Sequence, residues 1–125
     1  YGQAFVIFAL SQYYRLSGDE RARELALETL HFIDGHFRLP GLIGLVEGLD
    51  AKLKPLSDRV RRHESHMHLL EACLFAAETS SDATYRQMAD ELADLFVNYL
   101  YDAKRNLLSE YFTDDLQPTD ATRSS

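Results

Sequence analysis

The chain has 125 residues, of which 46% are hydrophobic and 26% charged, enough to bury a core and ordinary for a globular protein. Its net charge of −7 repels polyanions, and outside the Arg59, Arg61, Arg62 cluster its basic residues are mixed with acidic ones, which argues against a nucleic-acid partner. No run approaches the roughly 18 apolar residues of a membrane span, no signal-peptide pattern is present, and the single cysteine, Cys73, excludes an intramolecular disulfide, so no membrane partner is expected and the expected compartment is the cytoplasm.

The first segment, about 1–16, begins at Tyr1 without a capping residue and runs at once into Ala4-Phe5-Val6-Ile7-Phe8-Ala9-Leu10. A helix that lacks an N-terminal signal reads as part of a longer chain. Apolar on nearly every side, it is expected to be an inner helix enclosed by others. Ser17-Gly18-Asp19-Glu20 reads as a capping box, with Ser17 as the cap and Glu20 reaching back. In the second helix Ala22, Leu25, Ala26, Thr29, Leu30, Ile33 and Phe37 recur at spacings of three and four, which predicts an amphipathic, outer helix.

Pro40, Gly41, Gly44, Gly48 and Pro55 break the pattern over about 39–61, predicting a long loop with a short extended piece at 42–46. Loops of that length in compact domains usually carry function. A third helix, from Arg62 or His63 to about Glu78, is again apolar on most sides. Thr79-Ser80-Ser81-Asp82 ends it and caps a fourth, amphipathic helix with the stripe Tyr85, Met88, Ala89, Leu92, Leu95, Phe96 and Tyr99, ending near Leu100. Positions 119–125 are polar and unpatterned and read as a tail.

The two hairpins, about 1–38 and 62–101, share a register. Ala9 matches Ala72, Ser17 matches Ser80, Asp19 matches Asp82, Arg23 matches Arg86 and Ala26 matches Ala89, each 63 apart (82 − 19 = 63). Residues 1–118 are therefore expected to form an all-α domain of stacked inner/outer hairpins. Either an open α-solenoid or a closed α/α barrel satisfies the register.

Three of the five histidines, His63, His66 and His68, lie at the start of the third helix. Residues two apart on a helix point roughly 200° apart, so His66 and His68 cannot share a metal ion. His63 and His66 have no cysteine to join them, and no metal is expected. The other reading is acid–base chemistry, for which imidazole suits neutral pH. The offset of 63 places His68 in the slot of Phe5, on an inner face, with Glu64 four residues before and Glu71 three after on the same side. Against this stands a histidine that merely satisfies groups at a helix start. The aromatics Tyr1, Phe5, Phe8, Tyr13 and Tyr14 suit either a sugar-stacking surface or a core. His31 and His36 read as solvated, Cys73 as a small core residue, and Arg59, Arg61 and Arg62 as solvating a loop rather than binding an anion.

Tyr1-Gly2-Gln3-Ala4-Phe5, Tyr14-Arg15-Leu16-Ser17-Gly18-Asp19, Leu56-Ser57-Asp58-Arg59 and, most specifically, His66-Met67-His68-Leu69-Leu70-Glu71-Ala72 resemble the N-acylglucosamine 2-epimerase family, with its mannose isomerases and cellobiose 2-epimerases. A further echo is Leu107-Leu108-Ser109-Glu110-Tyr111-Phe112. The resemblance covers nearly the whole chain and implies part of an (α/α)6 barrel of six hairpins with the sugar in the central cavity. It implies proton abstraction beside the carbonyl of an open-chain sugar, giving an enediolate reprotonated at C2 or C1, with no cofactor.

On the same resemblance His68 is a pocket histidine assisting ring opening or proton movement, and Tyr1 and Phe5 are aromatics facing that pocket. Glu64 takes the place of a substrate-binding asparagine. The histidines that move the carbon proton and an essential arginine would lie outside this chain, so the fragment alone is expected to be inactive. Three departures bear on sugar preference: Glu64-Ser65 in place of asparagine and proline, Gly41-Leu42-Ile43-Gly44-Leu45 in place of a Gly-Gly-aromatic turn, and Leu116 in place of tryptophan. The competing readings are a glycoside hydrolase or lyase, which needs paired carboxylates, and a non-catalytic helical-repeat module. With about a third of a barrel present, the inner helices would have open apolar faces, which predicts self-association of the piece; a homodimer is the assembly considered for the complete protein.

Overall fold

Gly18, in the left-handed conformation (φ 71°), ends helix α1 (Gly2–Ser17) and lets α2 (Glu20–His36) begin two residues later. These elements come from a computed structural model in which residues 1–57 and 60–119 are described. The cap of α2 is Asp19, whose side chain accepts the Arg21 N–H at 2.9 Å. This corrects the expected capping box: Ser17 is still the last residue of α1, donates to Tyr13 O and accepts from the Asp19 N–H, while Glu20 pairs with Arg23 instead of reaching back. The second hairpin repeats the device 63 residues on. Ser81 (φ 57°) ends α3 (His63–Ser80), and Asp82 accepts the Thr84 N–H at 2.9 Å to cap α4 (Ala83–Leu95).

Helix α1 packs on both α2 and α3, and α3 on α4, so α1 and α3 form the inner layer of two side-by-side hairpins. Between the layers Ile7, Leu30, Cys73, Ala76, Tyr85 and Leu92 are buried. The inner helices are covered by their outer partners and by each other, and their remaining faces are open. Phe5, Val6 and Tyr13 of α1 and Met67 and Leu74 of α3 stay exposed, so the expectation that both helices are enclosed all round is met only in part. At the far end of the first hairpin Arg38 pairs with Asp34 and Glu91, tying the end of α2 to α4.

The α4 stripe is buried as expected from Tyr85 to Leu95, but Tyr99 is not. Residues Phe96–Leu100 continue as a π turn, and its extra residue per turn rotates Leu100 inward in place of Tyr99. No strand forms at 42–46. Gly41 (φ 74°) and Gly44 (φ 82°) bend the chain there, so that Leu45 and Val46 are buried and the Val46 N–H donates to Phe37 O at 2.8 Å.

Among the described residues five two-residue strands join the helices: β1 (Arg61–Arg62), β2 (Tyr101–Asp102), β3 (Leu107–Leu108), β4 (Tyr111–Phe112) and β5 (Pro118–Thr119). β2 and β3 form a hairpin, and an antiparallel sheet in the order β1-β4-β5 sets Arg61 opposite Phe112. The segment after α4 thereby returns to the start of α3. Thr119, expected in a tail, pairs with Tyr111; residues 120–125 of that tail, with Asp58 and Arg59, lie outside the described residues. No helix among the described residues is long and apolar enough to cross a membrane.

Candidate active site

Helix α3 starts without a side-chain cap of its own, because Arg62 at its N-cap offers none. The chain around it supplies partners instead. Glu47 from the loop accepts the Arg62 N–H on Oε1 and the Ser65 hydroxyl on Oε2, each at 2.6 Å, and the Glu110 carbonyl accepts the His63 N–H at 3.0 Å. Sequence reasoning missed Glu47, since nothing local marks a carboxylate that caps a helix fifteen residues away.

Helical geometry separates the histidines. His66 is 2% exposed; its Nε2 accepts the Leu45 N–H at 3.1 Å and its Nδ1 lies 2.8 Å from the Arg62 carbonyl. Accepting on Nε2 leaves Nδ1 as the donor, which fixes the neutral tautomer. Burial holds this imidazole below the ordinary histidine range, against the opposing pull of its bond to Arg62 O. His66 therefore braces the loop. The Nδ1 of His63 is buried without a hydrogen-bond partner among the described residues.

His68 faces the other way. Its ring centroid lies 5.3 Å from that of Tyr1 and 5.2 Å from that of Phe5, with the Tyr1 ring edge-on. Glu64 Oε1 lies 3.7 Å from Nε2 and Glu71 Oε2 3.9 Å from Nδ1. The structure thus gathers Tyr1, Phe5, Glu64 and Glu71 around one partly exposed imidazole. Aromatic faces beside a carboxylate and an imidazole suit a sugar, whose C–H face stacks on rings while its hydroxyls hydrogen-bond. An open groove beside the cluster is lined by Tyr1, Glu47, Arg62, Glu64 and Ser65.

Other candidates fall elsewhere. Phe8 packs on Phe75 rather than joining the cluster. His36, expected in solvent, stacks on Phe32 at 4.3 Å, and its Nδ1 lies 3.0 Å from Phe32 O; His31 is exposed. Cys73 is wholly buried, which pushes its thiol up to about 12. Arg61 overturns the expectation of a solvated loop arginine. It is 1% exposed, with Nε 3.0 Å from Asp114 Oδ1 and Nη1 donating to Ile43 O at 2.7 Å, because β1 pairs with β4 and carries it under the loop. Arg62 remains outside, with its guanidinium over the Tyr111 ring.

The N-acylglucosamine 2-epimerase family model matches residues 1–125. The chain belongs to this family. Similar to it within the family are a cellobiose 2-epimerase of Dictyoglomus turgidum, 28% identical over 127 residues, covering 94% of this chain and 32% of that protein, and several solved structures. The cellobiose 2-epimerase of Spirochaeta thermophila aligns with a TM-score of 0.82 at 26% identity, over 93% of this chain and 31% of its own. A D-mannose isomerase aligns with a TM-score of 0.79 at 26% identity, over 96% and 30%. The chain therefore spans about a third of the length of these N-acylglucosamine 2-epimerase relatives, and its two hairpins are part of an (α/α)6 barrel. The family resolves the choice between solenoid and barrel, and its members named here are carbohydrate epimerases and isomerases.

Proposed function

We propose that the complete protein is a sugar 2-epimerase or aldose–ketose isomerase acting on a free mono- or disaccharide, and that this chain contributes one wall of its sugar pocket. The observation that carries this is the convergence of Tyr1, Phe5 and Glu64 on His68 at the inner face of the hairpins. In this reading a base elsewhere in the barrel removes the proton beside the open-chain carbonyl. The enediolate is then reprotonated at C2, giving the epimer, or at C1, giving the ketose. His68 moves a proton to or from sugar oxygens, Glu64 binds a hydroxyl, and Tyr1 and Phe5 stack on the ring.

The reaction needs no cofactor. The acidic charge and the buried, unpaired Cys73 fit a cytoplasmic enzyme with a sugar, rather than nucleic acid or a membrane, as its partner. The exposed apolar flank of α1 and α3 is where the rest of the barrel would close, and two complete barrels would form the homodimer.

The test is turnover of mannose, N-acetylglucosamine and cellobiose in deuterated water by the complete enzyme. Epimerisation through an enediolate places solvent deuterium at C2. His68→Ala should lower kcat/KM by about 10²–10⁴-fold. No turnover of any of these sugars sinks the assignment, and an unchanged rate in the alanine variant sinks the role of His68.

A further inference from the structure

Glu47 lies in the loop between α2 and β1, yet both of its carboxylate oxygens are engaged at the first turn of α3. We propose that Glu47 is a positioning residue for the sugar site, holding the first turn of α3 in the helical geometry that aligns Glu64 with His68. The proposal rests on the functional reading above.

The N–H groups at a helix start have no partners within the helix, and an uncapped start frays. In α3 the residue at the N-cap gives no side-chain bond, so Glu47 fills that role from outside, with a negative charge that also complements the helix dipole. What it secures is specific. The bonded Arg62 N–H and Ser65 hydroxyl bracket Glu64, and the 3.7 Å approach of Glu64 to His68 exists only while 64 and 68 are one helical turn apart.

Leu45, two residues before Glu47, donates to His66 between the same two site residues. Segment 45–47 thus holds the start of α3 at Arg62, Ser65 and His66, and among the described residues it takes no hydrogen bond from Glu64 or His68. With each oxygen already 2.6 Å from a donor at the N-cap or in the first turn of α3, Glu47 acts through the helix rather than on the sugar.

The experiment compares wild type, Glu47→Ala and Glu47→Gln in the complete enzyme. It reads kcat and KM for the sugar turned over, the thermal midpoint, and amide hydrogen exchange over residues 62–68. Glu47→Ala should lower kcat about tenfold to 100-fold with little change in KM, and should speed exchange in that segment while the midpoint stays near wild type. Glu47→Gln keeps one acceptor oxygen and should recover part of both losses.

Unchanged exchange in the alanine variant overturns the positioning role, as does a fall in kcat that only tracks a fall in the midpoint. An inactive wild type overturns the functional reading and the positioning role together, whereas an active wild type with unaltered exchange overturns the positioning role alone.

Discussion

His66 and His68 stand two residues apart on α3 and serve opposite sides of it, His66 bonded to the Leu45 amide in the loop behind and His68 against Tyr1 and Phe5 in front. One helix start therefore holds a brace and the imidazole of the proposed sugar site, and the two should respond differently to mutation.

Replacing the brace should unfold more than it inactivates. His66→Ala leaves the buried Leu45 N–H without its acceptor and opens a cavity, for a loss of about 2–4 kcal/mol measured by urea denaturation. A loss below half a kcal/mol would mean that the loop does not depend on this bond.

The same burial sets a pH dependence. The folded state holds the His66 imidazole below its ordinary value, whereas in the unfolded chain histidine takes up a proton near pH 6.5. Below that pH the unfolded state binds more protons, so stability should fall as the pH drops below about 7, until the folded imidazole itself titrates. Above about pH 7.5 this group contributes no slope. His66→Gln should flatten the profile; equal slopes in variant and wild type would assign the effect elsewhere.

Gly44 combines a left-handed backbone with close neighbours. A Cβ there would lie 3.2 Å from Arg61 Nη1 and 3.5 Å from His66 Nε2. Gly44→Ala should cost about 1–3 kcal/mol through backbone strain and displacement of the buried arginine. Gly41, whose Cβ would meet nothing, is the control; equal losses at both positions would leave strain as the whole effect.

Asp114 faces a nearly inaccessible guanidinium, and removing one partner of such a pair strands the other. Asp114→Ala should destabilise by about 3–5 kcal/mol. The loss should persist in 1 M salt, which screens surface pairs but not buried ones. Full suppression of the loss by salt would place Arg61 at the surface.

The hairpins were legible because their signals are local: an aspartate follows each left-handed residue, and apolar residues recur at helical spacing. The offset of 63 that matches Phe5 with His68 has a direct spatial counterpart, since equivalent positions on adjacent inner helices touch. Closure into a barrel was not legible from periodicity, which a solenoid satisfies equally, and came from motif resemblance. Arg61 was misread because its partners lie 18 and 53 residues away and its own neighbours are charged. The small strands were invisible because two residues cannot display an alternation, and in the β1–β4 pair the partners, Arg61 and Phe112, are also far apart in the chain.

Cys73 lies at the centre of the contact between the inner helices and their outer partners, with no exposed surface and a thiol that burial keeps protonated. As the sole cysteine it makes the fold its own clock. A thiol reagent can react only when the two layers part, so the labelling rate counts those openings one molecule at a time, without an introduced probe.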